Sequence, residues 1–234
     1  MPSCKVYSGE SQIQIRKVDE NEKKKLYIGV GLLVLFVAWT AALQFIDVRA
    51  IGPRGSSVGF ATVNKMIHNI TGVNMFLYNI TDWLGLVPIC FILGFGILGL
   101  CEWVKRRNLF KVDYSILTLG GFYIFVMLAY IFFEVFVVNY RPILINGILE
   151  ASYPSSTTML VMCVMPTAIM QFNKRIKNNL FKKCVNILIV AFMTFMVIGR
   201  FVSGVHWFSD IIGGALFSGG IVMIYSFISN LKNC

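Results

Sequence analysis

Six predominantly apolar stretches run through the chain, at about 26–46, 83–104, 114–138, 157–172, 184–202 and 208–228, with polar or basic segments between them. A run of about 20 apolar residues spans a bilayer as a helix. The pattern predicts an all-α, polytopic membrane protein with six transmembrane helices in a bundle. Residues 1–25 are polar and close on Lys23–Lys24–Lys25, which predicts a cytosolic tail. Residues 26–228 form a single six-span membrane domain, and 229–234 are a second short tail. No soluble domain and no internal repeat stands out. Between the first two spans, Gly52, Pro53, Gly55, Ser56 and Ser57 read as a loop. Residues 58–78 alternate apolar and polar positions loosely, which predicts a helix lying at the membrane interface. Pro166 falls inside the fourth span and predicts a kink there.

Composition supports the membrane reading. Hydrophobic residues make up 57% of the chain and charged residues 14%, and the mean hydropathy is +0.73. The formal net charge is +10. In a soluble protein that would raise nucleic acid as a partner; here cytosolic retention of basic loops and contact with anionic lipids account for it. With the N-terminus inside, six lysines and arginines fall in the tail, four in 105–112, five in 174–183, and one at Lys232. That is sixteen of 21, leaving Arg49, Arg54, Lys65, Arg141 and Arg200 on the other side. This bias puts both termini in the cytosol. Six cysteines occur without zinc-ligand spacing or a disulfide framework, and no metal or cofactor is implied. Two glycosylation tripeptides begin at Asn69 and Asn79.

In this topology three polar clusters collect at the outer face. They are Asn139–Tyr140–Arg141–Pro142, Tyr153–Pro154–Ser155–Ser156–Thr157–Thr158, and Gly199–Asp210, which joins the fifth span to the sixth. Charge is costly beside apolar spans, so their coincidence at one depth predicts a pocket. Arg141 and Arg200 are fork-shaped cations suited to phosphate oxygens. Ser155, Ser156 and Thr157 follow a proline and precede a helix, so the free backbone N–H groups of that helix start would face an anion. His206 and Asp210 are four apart. On one helix face, Asp210 would accept from one ring nitrogen of His206 and leave the other free to attack.

These residues resemble the superfamily of type-2 phosphatidic acid phosphatases, which also contains the vanadium haloperoxidases. That family carries Lys, six residues, Arg-Pro; then Pro-Ser-Gly-His; then Ser-Arg, five residues, His, three residues, Asp. Here the third motif reads Arg200, His206 and Asp210, with Gly199 in place of the serine. The first ends in Arg141–Pro142, with Glu134 at the lysine position. The second reads Pro154–Ser155–Ser156–Thr157, with threonine at the histidine position. The resemblance covers about residues 80–228.

The resemblance implies attack by His206 on phosphorus, a phosphohistidine intermediate oriented by Asp210, and phosphoryl binding by Arg141, Arg200 and the 155–157 segment. The substrate would be a lipid phosphate or diphosphate, met at the outer face of the membrane (the plasma membrane, if the protein is bacterial). Thr157 cannot protonate a leaving group near neutral pH, which tilts the substrate toward a polyprenyl diphosphate, whose leaving group needs little help. His68 is a candidate replacement acid. Glu134 lies seven residues before Arg141 on the same helical face and is placed to pair with Arg141 or Arg200, or to favour a cationic headgroup. Two other readings stay open. One is a catalytically impaired relative that binds lipid phosphates. The other is a headgroup transferase, in which an alcohol replaces water.

Overall fold

A computed structural model describes residues 9–108 and 111–230, with side chains from residue 20 onward. The chain is helical nearly throughout, and the described residues form no strand beyond three isolated bridges. The helices are α1 (Gly9–Phe45), α2 (Ala61–Thr71), α3 (Met75–Leu84), α4 (Leu86–Arg106), α5 (Tyr114–Val135), α6 (Ser156–Arg175), α7 (Asn179–Val202) and α8 (Phe208–Asn230). A 3-10 turn at Pro53–Gly55 precedes α2.

Local chemistry sets several boundaries. The Asp113 side chain caps α5 through Ser115 N (3.0 Å), and Asn178 caps α7 through Leu180 N and Phe181 N. Asn74 caps α3 through Leu77 N at 2.9 Å. Pro88 falls in the first turn of α4, where its missing N–H weakens continuity with α3, and Gly85 takes the joint. α1 is described from Gly9 onward, so the described part of the polar tail continues the helix of the first span.

Five segments are long and apolar enough to cross a membrane: Glu20–Phe45, Met75–Arg106, Tyr114–Val135, Asn179–Val202 and Phe208–Asn230. α6, the expected fourth span, falls outside that set, and the reason is its place in the bundle. It packs against α7 and α8, with Val161, Cys163 and Val164 fully buried. A helix surrounded by protein need not be apolar all round, so it can carry Thr157, Thr158, Thr167 and Gln171. It runs as one helix across Pro166. The peripheral helices do the reverse and expose Ile97, Val104, Leu128 and Leu188 to the lipid.

α1 lies along α8 through small residues. A Cβ on Gly29 would sit 2.9 Å from Gly220 O, and one on Gly220 would sit 2.7 Å from the Leu33 side chain. Close backbone approach of this kind replaces the hydrophobic effect as the packing force between membrane helices. At the basic end, buried Gln171 donates to Tyr225 Oη (2.7 Å) and Ser115 O (3.1 Å), while Arg175 pairs with Asp113 at 3.0 Å. This ties α5, α6 and α8 together. The expected interfacial segment is two helices. α2 turns Val63, Met66 and Ile70 outward and docks by buried Asn64, which donates to Ser209 Oγ (2.9 Å) and accepts from Ser209 N (3.1 Å). α3 leads through Gly85 into α4.

Candidate active site

The end of the bundle opposite that polar tie holds the start of α6, the end of α7, the start of α8 and the loop after α5. That loop doubles back on itself. Tyr140 pairs with Ala151, Arg141 N donates to Glu150 O (3.1 Å) and Ser152 N donates to Asn139 O (2.9 Å). The Trp207 indole clamps it by donating to Tyr140 O at 2.7 Å. Ser155 N donates to Asp210 O at 3.0 Å, joining the start of α6 to α8. Glycine permits this approach: a Cβ on Gly213 would sit 2.4 Å from the Tyr153 ring. The α7–α8 turn needs Gly204, which has φ +66 and lies so close to Gly72 O that a Cβ would stand 1.8 Å from it.

His206 and Asp210 are both buried, at 4% and 0% exposure. The expected direct bond between them is absent. α8 begins at Phe208, so His206 precedes the helix and the spacing rule for a helix face does not apply. His206 Nδ1 stands 4.0 Å from Asp210 Oδ2. Ser152 fills the gap: its hydroxyl donates to Asp210 Oδ2 and lies 3.0 Å from His206 Nδ1, while Ser152 O lies 3.2 Å from the same nitrogen. A serine hydroxyl has one hydrogen, and Asp210 takes it. His206 Nδ1 therefore carries the ring proton and donates to Ser152. That leaves Nε2 with its lone pair, buried and without a partner among the described residues. Burial, followed by the charges of Arg141 and Arg200, holds the His206 imidazole well below its usual pKa of 6.5, so the ring stays neutral. Asp210 also accepts from Trp207 N (2.9 Å) and lies 3.4 Å from Asn139 Nδ2.

Arg200 closes α7 with its side chain 3% exposed. Its Nη2 donates to Asp82 Oδ1 and to Thr157 Oγ1, both at 2.7 Å, and its guanidinium stacks 4.9 Å above the Tyr78 ring. Arg141 Nε lies 3.1 Å from Glu150 Oε2, off the hydrogen-bonding direction. Glu134 pairs with neither arginine, contrary to the expectation. It is exposed and lines a recess with Ser152, Tyr153, Pro154 and Ser156. The carboxylates on the arginines come from elsewhere because the loop fold brings Glu150 to Arg141 and α3 brings Asp82 to Arg200.

Several buried polar atoms here have no partner among the described residues. They include Arg141 Nη1, Arg200 Nε and Nη1, His206 Nε2 and Ser155 Oγ. Ser155 is the N-cap of α6, and its side chain makes no capping bond. Buried donors left unpaired are costly. A tetrahedral oxyanion between two arginines and a helix start would satisfy them. His68 packs against Trp207 with the rings tilted by 58° and their centroids 5.4 Å apart, at the edge of this cluster, and burial lowers its pKa. A groove of about 620 Å³ between α4 and α5 is apolar and lined by residues such as Trp103, Val112 and Ile116. It lies toward the basic end, away from these groups.

The structure brings together Arg141, Ser155, Thr157, Arg200, His206 and Asp210, with Ser156 at the rim. Ser152, Asp82, Tyr78 and Glu150 join the cluster without a motif that marks them in the sequence. Asp82 did leave one signal, an acid at the mouth of an apolar run.

This fold and this cluster define a polytopic membrane protein with a polar site at one end of its bundle. The chain belongs to the PAP2 superfamily, whose family model matches residues 94–233. Its fold is similar to the crystal structure of a transmembrane PAP2 type phosphatidylglycerolphosphate phosphatase from Bacillus subtilis. That similarity has a TM-score of 0.58 at 18% identity, over 86% of this chain and 94% of the other. No curated protein sequence matches the chain.

Proposed function

We propose that the protein is a membrane lipid phosphatase that hydrolyses a lipid phosphate or diphosphate through a phosphohistidine on His206. One observation carries the reading: a neutral, unpartnered His206 Nε2 shares a buried cluster with unpartnered nitrogens of two arginines. An anion-binding protein needs the arginines but has no use for a nucleophile whose tautomer is fixed. That feature favours catalysis over simple lipid binding.

In the first step Nε2 attacks phosphorus, and the bond to the lipid oxygen breaks. Asp210, acting through Ser152, steadies the positive charge that the ring acquires. Arg141, Arg200 and the start of α6 hold the phosphoryl oxygens, whose charge they oppose in the transition state. In the second step water displaces the histidine. Membership of the PAP2 superfamily supports the reaction class. The Thr157 hydroxyl accepts from Arg200 and offers no acidic proton, which supports a diphosphate, whose leaving group departs as a stable anion. The sided distribution of basic residues supports an outward-facing site with both termini in the cytosol.

The test offers detergent-purified protein phosphatidate, phosphatidylglycerolphosphate and a polyprenyl diphosphate, beside His206→Ala. Phosphate release by the wild type, abolished in the variant, is expected. Equal release by both on every substrate would end the enzyme reading, and added alcohols that trap the phosphoryl group would redirect it to a transferase.

A further inference from the structure

The phosphatase reading leaves one chemical task without a residue. Water that attacks a phosphohistidine must lose a proton, and Thr157 has neither the basicity nor the freedom to take it, since its hydroxyl is bound to Arg200. Asp82 binds the same arginine nitrogen. Its Oδ1 shares Arg200 Nη2 with Thr157 Oγ1, both at 2.7 Å, so one nitrogen links the carboxylate to the start of α6. Asp82 Oδ2 has no partner among the described residues. The Asp82 side chain is 57% exposed, against 3% for Arg200, so it reaches from the buried cluster to the protein surface. Its position is fixed from three directions. Thr81, its neighbour, is buried and bonds back to Leu77 O and Tyr78 O. The Tyr78 ring, one turn back on α3, lies under the same guanidinium. The Gly85 N–H bonds to Asp82 O at 3.0 Å, and a Cβ there would stand 2.8 Å from that oxygen.

We propose that Asp82 is the general base of the water step. The inference rests on the phosphohistidine reading. The water oxygen forms a bond to phosphorus, the P–N bond breaks, and its electron pair returns to His206 Nε2. The water proton passes to Asp82, which releases it to bulk solvent through its exposed side. Inorganic phosphate leaves. No other reactant is required. When the leaving group departs as an anion, the first half-reaction uses this carboxylate only through its bond to Arg200, which the asparagine amide oxygen can still accept. Asp82 lies outside the segment that the family model matches, on a helix before it.

The test compares wild type with Asp82→Asn on one polyprenyl diphosphate, by rapid quench. The expected result is a retained burst of lipid product, one per site, followed by turnover slowed roughly 100-fold. Phosphohistidine should accumulate in the variant, which also demonstrates that it is folded. Hydroxylamine, a nucleophile that needs no base, should restore turnover. Unchanged turnover in Asp82→Asn would overturn the proposal. So would a burst that slows in step with turnover, with no extra phosphoenzyme and no hydroxylamine rescue, because Asp82 would then act only by holding Arg200. A wild type without turnover on any substrate would remove the phosphatase reading itself, a result distinct from either of these.

Discussion

His206 and Asp210 stand 4.0 Å apart, and the hydroxyl of Ser152 connects them. The His206 ring is therefore oriented by a serine from the loop before α6, with the carboxylate one step behind. Replacing Ser152 by Ala removes that link while leaving Asp210 its bond from Trp207 N. The expected outcome is a fall in kcat of about 10- to 100-fold with little change in KM, since only charge developing on the ring is affected. Steady-state kinetics on the best substrate checks it. A fall as large as that of His206→Ala would mean that Ser152 does more than orient the ring.

The acid side of the pH profile follows from the His206 environment. Burial and two arginines favour the neutral ring, so His206 keeps its free lone pair as pH falls below 6.5. The acid limb of kcat/KM attributable to this histidine should lie well below pH 6.5. Stability has the matching sign. The unfolded chain takes up the proton near pH 6.5 and the native state does not, so native stability is lost as pH falls below about 6.5. A histidine limb at or above 6.5 would contradict the buried arrangement.

Arg200 makes three kinds of contact at once: with Asp82, with Thr157 and with the face of Tyr78. Lysine keeps the charge but loses the planar fork and the stacking. Arg200→Lys should weaken competitive inhibition by orthovanadate, a mimic of the phosphoryl transition state, by about 10-fold or more. Inhibition constants in micelles measure this directly. Equal constants in the two proteins would place the anion elsewhere.

Gly204 tests the backbone of the α7–α8 turn. It combines φ +66 with a position where a Cβ would fall 1.8 Å from Gly72 O. Gly204→Ala should destabilise the protein by at least about 2 kcal/mol, from left-handed strain and displacement of the α2–α3 connection. Thermal unfolding in detergent reads this out. An unshifted midpoint would show that the turn adapts freely.

Much of this architecture was legible in the sequence, for identifiable reasons. Long apolar runs announced the spans, and the spacing of Arg200, His206 and Asp210 located one half of the cluster. α6 was legible as a helix, and its polar residues make sense once it is seen enclosed by α7 and α8. Helix periodicity puts His206 and Asp210 on one face, but α8 starts two residues after His206, so the rule does not reach it. The seven-residue spacing to Arg141 predicts a pairing role for Glu134, yet the chain turns after Phe136 and leaves it exposed. Asp82, Glu150 and Ser152 reach the cluster through contacts between distant segments. No local pattern encodes such contacts.

The central claim is that His206 Nε2 becomes covalently bonded to phosphorus. It is tested most directly by quenching wild-type protein during turnover of a radiolabelled lipid diphosphate and mapping the label by peptide mass spectrometry. A base-stable, acid-labile phosphate on His206, absent from His206→Ala, is the predicted result. Turnover with no phosphate on the protein, or with phosphate on another residue, would contradict it.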